Sequence, residues 1–362
     1  MAKRIGIITG GGDCPGLNAV IRAVVLHARG TLGWDVLGIE DGFAGMYEQR
    51  YVELTPKTVA GLISRGGTVI GSSNRANPFA YPVKRPDGKE EIHDVSDRCV
   101  ANIEELELEG LVLVGGDGTM SIGQKLMAKG LRVVGVPKTI DNDLEATEYT
   151  IGFQTAVEVA SEAIDRLHTT AESHDRIIIC EVMGRYAGWI AMAAGLAGAA
   201  DVILIPEIEY DLQRVITSLN RRHGRGTSYS IIVAAEGARP KGGVYSVVRG
   251  GDNTQQERLG GAAQRLAEEI AKRTDYDVRT TVLGHLQRGG SPCAFDRLLA
   301  TRFGATAVEL LSTGRFGQVA ALRGGEIVSA PLDLCVSKLK RVDPQGELVR
   351  AARSLGIELG LA

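Results

Sequence analysis

The chain has 362 residues, 44% of them hydrophobic and 23% charged, with a formal net charge of −3. That length suggests roughly two domains, and the ordinary apolar share argues against long disorder or a coiled coil. A balance of 41 basic against 44 acidic residues leaves no cationic excess for nucleic acid, and no run of about 18 apolar residues predicts a membrane span.

The first predicted strand, Arg4–Thr9, enters Thr9-Gly10-Gly11-Gly12-Asp13-Cys14-Pro15-Gly16-Leu17-Asn18. Its apolar stretch is cut short by glycine, so it reads as a strand and not as a secretion signal. Bare glycines let backbone N–H groups approach an anion. A helix expected over 17–29, with Val20, Val24 and His27 on one face, adds its positive end. The segment has neither the GK[ST] of a Walker A loop nor GxGxxG spacing, and a plain tight turn would look the same. A second strand follows at Asp35–Ile39, and the polar, proline-bearing stretch 77–92 reads as a surface excursion.

The apolar run 110–114 leads into Gly115-Gly116-Asp117-Gly118-Thr119, a second glycine-rich strand-to-helix junction, now holding a carboxylate. Asp117 among bare amides suits Mg2+, a hard cation that takes carboxylate, water and phosphate oxygens; a helix cap is the plainer reading. The strand 132–136 then delivers Pro137-Lys138-Thr139-Ile140-Asp141-Asn142-Asp143. If that stretch is extended, Thr139, Asp141 and Asp143 share one face and Lys138, Ile140 and Asn142 the other. Such a cluster can take a proton from a hydroxyl, and mutual repulsion raises one carboxylate's pKa unless Mg2+ or Lys138 offsets it.

Further along, a helix is expected over 155–170, strands over 176–182, 201–205 and Ser230–Ala235, and helices over 259–272 and 295–311. The glycine-rich stretch 237–257 reads equally as a loop near a site or a disordered flap. Helical spacing returns over 344–357. Arg75, Arg176, Arg185, Arg279 and Arg288, with His285, each stand near glycine or the end of an apolar run, where a planar guanidinium suits a phosphate monoester. Apolar β-branched runs alternating with helices predict an α/β, doubly wound fold with mostly parallel sheets, whose ligands sit at the carboxyl ends of the strands.

Composition adds two constraints. Five dispersed cysteines without a CxxC pair fit a reduced compartment, and six histidines show no zinc spacing. Glycine is in excess, 47 residues where about 25 would be average for this length.

The blocks at Thr9–Asp13, Gly115–Thr119, Thr139–Asp143, Glu181-Val182-Met183-Gly184-Arg185 and Gly284-His285-Leu286-Gln287-Arg288-Gly289-Gly290-Ser291 resemble, in order and spacing, those of bacterial-type 6-phosphofructokinases. The resemblance runs from Ile5 to about Leu311. It implies two Rossmann-like domains, 1–152 plus 287–337 for the phosphate donor and 153–286 plus 338–362 for the sugar phosphate. It implies transfer of the γ-phosphoryl of ATP to the 1-hydroxyl of fructose 6-phosphate, with Asp141 as base and Asp143 and Thr139 orienting the reacting groups. Arg185 belongs to the same catalytic set. Gly12, Arg75, Ala76, Gly116, Asp117, Gly118 and Thr119 would line the donor, and Asp117 would hold Mg2+. Thr139, Ile140, Asp141, Met183, Gly184, Arg185, Glu236, His285, Leu286, Gln287 and Arg288 would bind the sugar phosphate. Arg176 and Arg279 would come from a neighbouring subunit of a cytoplasmic homotetramer. Gly118 resembles ATP users and Lys138 resembles pyrophosphate users, so a pyrophosphate-dependent enzyme is the alternative. Arg22, Glu207 and Arg225 align with charged positions of the family's effector pocket, while Leu26, Pro56 and His168 stand where arginines are usual, which implies weak or altered control by phosphorylated effectors.

Overall fold

The structure, a computed structural model, describes residues 3–85, 87–250 and 258–361. Its larger sheet has seven strands in the order Glu326–Pro331, Gln318–Arg323, Val133–Pro137, Leu111–Gly115, Arg4–Thr9, Asp35–Ile39 and Tyr51–Leu54. The central strands pair in parallel, and only the two outermost pairings are antiparallel. Leu111–Gly115 and Val133–Pro137 are buried at every residue, which is why they read as unbroken apolar runs instead of alternating ones. A second sheet orders Val278–Val282, Ile177–Val182, Ser230–Ala235 and Val202–Leu204, all parallel. The architecture is thus α/β with mostly parallel sheets and helices on their faces.

The helices Leu17–His27 and Ala294–Ser312 pack closely on the larger sheet. A Cβ at Gly304 would stand 2.8 Å from the Ala23 Cβ and 2.9 Å from the Val20 carbonyl, so a larger residue would force the crossing apart. The longest helix, Phe153–Ser173, begins at a glycine with φ 97° and is capped from outside its own chain segment. Buried Asp296 accepts from the Gly152 N–H (3.1 Å), the Thr155 N–H (2.8 Å) and the Thr155 hydroxyl (2.6 Å), which satisfies donors that a helix start leaves orphaned.

Several boundaries differ from the sequence-based expectation. The helix expected over 17–29 stops at His27 and passes into a π turn, Ala28–Leu32, that ends at Gly33 with φ 67°. The helix expected over 259–272 is Ala262–Ala271, because Leu259 joins a two-stranded ribbon and Gly260 and Gly261 both have positive φ. The stretch 77–92 contains a β-hairpin arm in which Tyr81–Lys84 pairs antiparallel with Glu90–His93. Of the stretch 237–257, the part 251–257 lies outside the described residues. The helical spacing over 344–357 corresponds to the helix Glu347–Ser354. No helix among the described residues is long and apolar enough to cross a membrane.

Candidate active site

Three turns, the first two rich in glycine, leave the carboxyl ends of neighbouring parallel strands and meet. The Gly10 N–H donates to the Val114 carbonyl (2.9 Å) and the Lys138 N–H to the Gly115 carbonyl (3.0 Å). A Cβ at Gly10 would lie 2.6 Å from Thr119 Oγ1, and one at Gly115 would lie 2.3 Å from Thr119 Cβ. Thr119 is therefore wedged between the first two turns, and glycine is required at both. Asp117 opens the helix Asp117–Met127 with Gly116 before it, at the positive end of the dipole. Gly118 is exposed, with open space where a side chain would stand.

The third turn departs from the extended reading. The strand ends at Pro137, and the chain turns through Ile140 and Asp141, with Asn142 left-handed at φ 51°. The two-faced alternation expected for 139–143 is therefore replaced by a tight turn. Asparagine tolerates this conformation, and its amide is fixed: Nδ2 donates to the Glu148 carbonyl (3.2 Å), and Oδ1 accepts from the Thr150 N–H (3.0 Å) and Lys340 Nζ (3.0 Å). Ile140 points into the apolar core, fully buried, so its side chain is no ligand. Thr139 Oγ1 accepts from the Asp141 N–H at 3.2 Å.

The turn leaves Asp141 and Asp143 buried, with Asp141 Oδ1 lacking any hydrogen-bond partner. Burial pushes both carboxyls up. Asp143 reaches about 7, with the charges of Asp141 and Asp117 adding to desolvation. Arg288 and Arg185 oppose the rise at Asp141. Arg288 lies against the first turn, its Nη1 donating to the Asp13 carbonyl (3.3 Å) and standing 3.0 Å from where a Gly12 Cβ would be. Lys138 is also buried here, but its ammonium is spent on the carbonyls of Gly10 (2.9 Å) and Gly12. Burial pulls its pKa down.

From the second sheet, the strand Ile177–Val182 delivers Met183-Gly184-Arg185. A Cβ at Gly184 (φ 137°) would meet the Ala187 carbonyl at 2.5 Å, and Arg185 itself is left-handed at φ 51°. The Arg185 N–H donates to Glu236 Oε1 (3.0 Å), and desolvation raises the Glu236 carboxyl to about 7, with Asp141 adding to it. Met183 packs at the edge of the main core.

Other expected residues lie apart from this cluster. Arg75 is exposed and paired with Glu90 of the hairpin at 2.6 Å, while Ala76 is buried under that arm. Arg176 Nε and Arg279 Nη1 share one carboxylate, Asp277, at 2.8 Å each, on the edge strand of the smaller sheet and its neighbour. His285 and Leu286 are exposed on the short helix Gly284–Arg288, whereas Gln287 turns inward, fully buried, with its Oε1 unpartnered. Sequence reasoning missed Asn142, Lys340 and Asp277. The DND spacing hints at the first; Lys340 lies 198 residues from its partner, and no local signal marks it. Among the described residues no group of three or more His, Cys, Asp or Glu could hold a metal.

A family profile described as phosphofructokinase matches residues 4–311. Proteins named ATP-dependent 6-phosphofructokinase are similar: one from Chloroflexus aurantiacus is 51% identical over 99% of this chain and 98% of its own. Another from Clostridium perfringens is 49% identical, over 98% of each chain. A protein named pyrophosphate–fructose 6-phosphate 1-phosphotransferase from Streptomyces coelicolor is 50% identical over 94% of this chain and 96% of its own. The crystal structure of Pichia pastoris phosphofructokinase superposes with a TM-score of 0.79 at 30% identity, covering 92% of this chain and 38% of that one.

Proposed function

The chain belongs to the phosphofructokinase family, and from that premise we propose how its own residues carry the reaction. The protein is an ATP-dependent 6-phosphofructokinase, a transferase that moves the γ-phosphoryl of ATP to O1 of fructose 6-phosphate. The observation that carries our assignment of roles is the buried, unpartnered Oδ1 of Asp141. A buried carboxylate oxygen without a donor is costly, and a substrate hydroxyl would supply that donor. Asp141 accepts the hydroxyl proton as O1 attacks the γ-phosphorus and the bond to the departing ADP oxygen breaks. Arg288 and Arg185, which with Lys138 favour the ionised form of Asp141 against its burial, face the phosphoryl groups. Thr139 and Asp143 orient O1 and the moving phosphoryl.

The donor lies along Gly12, Gly116–Thr119 and the dipole of the helix that Asp117 opens. Asp117 would hold Mg2+, which would supply charge neutralisation at the phosphates; the half-exposed carboxylate beside bare glycine fits a hard cation. Arg75 joins the donor only if it leaves Glu90. The open space at Gly118 favours a nucleotide over pyrophosphate, and Lys138 already gives two of its three donors to carbonyls. We assign the residues 1–152 plus 287–337 to the donor domain and 153–286 plus 338–362 to the sugar-phosphate domain. Met183, Gly184, Glu236, His285, Leu286 and Arg288 form the sugar-phosphate side, whereas the buried Gln287 supports it from within. Arg176 and Arg279 face outward and complete the site of a neighbouring subunit in a cytoplasmic homotetramer. A coupled assay offering fructose 6-phosphate with ATP or with pyrophosphate tests the donor. Turnover with ATP is expected, and turnover with pyrophosphate alone would overturn it.

A further inference from the structure

The C-terminal segment returns across the molecule to the turn that bears the two buried carboxylates. Leu339 forms an antiparallel bridge with Leu144, and the Lys340 N–H donates to the Asp143 carbonyl at 2.8 Å. The Lys340 carbonyl accepts from Trp189 Nε1 (3.0 Å), and its ammonium lies 5.5 Å above that indole ring. The side chain then runs beneath the turn. Its Nζ donates to Asn142 Oδ1 (3.0 Å), the Thr147 carbonyl (2.8 Å) and the Glu148 carbonyl (2.8 Å).

An ammonium has three donors and no acceptor, and all three are engaged. Lys340 is therefore not free to bind a phosphate. What it grips is the residue between the two carboxylates. Asn142 is held in a left-handed conformation by side-chain contacts to Glu148, Thr150 and Lys340, of which that to Lys340 is charged, and the Thr150 hydroxyl also ties back to the Thr139 carbonyl at 2.6 Å. Burial pulls the lysine down to about 8, while Asp143, Glu145 and Glu148 hold it up.

We propose that Lys340 is a positioning residue that latches the Asp141–Asp143 turn from below, making the segment beyond residue 337 part of the catalytic apparatus. This rests on the assignment of Asp141 as the proton acceptor. The latch acts on carboxylate placement, not on substrate affinity. Misplacement by about 1 Å can cost on the order of a hundredfold in rate.

The test is Lys340→Met, with Lys340→Arg and Asp141→Asn alongside, each checked for folding by its unfolding temperature. Lys340→Met is expected to lower kcat by about 10- to 100-fold with KM for both substrates within about threefold, and Lys340→Arg, which keeps charge and donors, to recover a substantial part of kcat. If Lys340→Met does not fold, Lys340→Arg and Trp189→Phe carry the same readout, with a severalfold loss of kcat at constant KM. An unchanged kcat beside a lowered unfolding temperature would make the lysine merely structural. A rise in KM for fructose 6-phosphate at constant kcat would make it a substrate ligand. Either outcome overturns the latch. Full turnover by Asp141→Asn would instead overturn the assignment on which the latch rests.

Discussion

The two sheets treat their functional residues in opposite ways. The larger sheet sends three turns inward, where each is fixed by its surroundings: the first through Gly10 on the Val114 carbonyl, the second through Thr119 wedged against Gly10, and the third through Lys138 on the Gly115 carbonyl and Lys340 on Asn142. The smaller sheet carries Arg176 and Arg279 outward around one shared carboxylate, Arg279 on the strand that among the described residues is the sheet's edge and leaves Val282 exposed, and Arg176 at the start of the strand beside it. One half of the site is preorganised within the chain. On the assignment proposed above, the other would be presented to a subunit that docks on the edge. Chemistry that needs accurate placement is built on the first, and recognition by charge is left to the second.

The sharpest way to break this contrast is at Asp141. Asp141→Asn should lower kcat by about a thousandfold or more, as loss of a general base does, with little change in KM, read by steady-state kinetics. Gly118→Asp comes next. A carboxylate in that open space should abolish most turnover with ATP while leaving the unfolding temperature unchanged.

Arg279→Ala should act on the outward half. A KM for fructose 6-phosphate raised by about 10- to 100-fold, the worth of one charged hydrogen bond, is expected with kcat less affected. At fructose 6-phosphate concentrations well below the raised KM, mixing Arg279→Ala with Asp141→Asn subunits should give more activity than either parent, since each supplies what the other lacks. Mixed oligomers as inactive as their parents would place both halves within one chain.

Asp143 offers a smaller, opposite effect. Its folded pKa of about 7 lies above the usual carboxyl value, so its protonation stabilises the fold, and that contribution is lost as pH rises through 7. Asp143→Asn should therefore raise the unfolding temperature at pH 8 by a few degrees. The gain should vanish toward pH 4, where the wild-type group is already protonated. The smallest expected effect is regulatory. Glu207 is half-buried and accepts from the N–H groups of Gly188 (2.9 Å) and Val342 (2.9 Å), and His168 lies against the Gly198 carbonyl (2.8 Å). Phosphoenolpyruvate titrations should accordingly show only a weak change in rate.

The same division governs what could be read from the sequence. The inward half announces itself, because buried parallel strands are continuous apolar runs and two of its three turns are packed too closely for anything but glycine, as in 110–114 with Gly115–Thr119. Its fine geometry was hidden, since nothing in Thr139–Asp143 says that the chain turns at Ile140. The reason for the turn, the gripping of Asn142, arrives from Lys340 far along the chain. On the outward half, Arg176 and Arg279 were visible as isolated cations near strand ends, but Asp277, which gathers them, looks like any surface acid until the strands pair. Gln287 sits in a block read as ligand-binding, yet it turns inward because the short helix around it leaves that position facing the core.

The wedge of Thr119 between Gly10 and Gly115 has an evolutionary corollary. Neither loop is at liberty to drift alone: a methyl gained at position 10 finds room only after position 119 has shrunk, and the vacancy then loosens the partner loop. Sequence change in this corner must therefore come in matched steps, and a library that varies the three positions together will recover working combinations that one-at-a-time scanning discards.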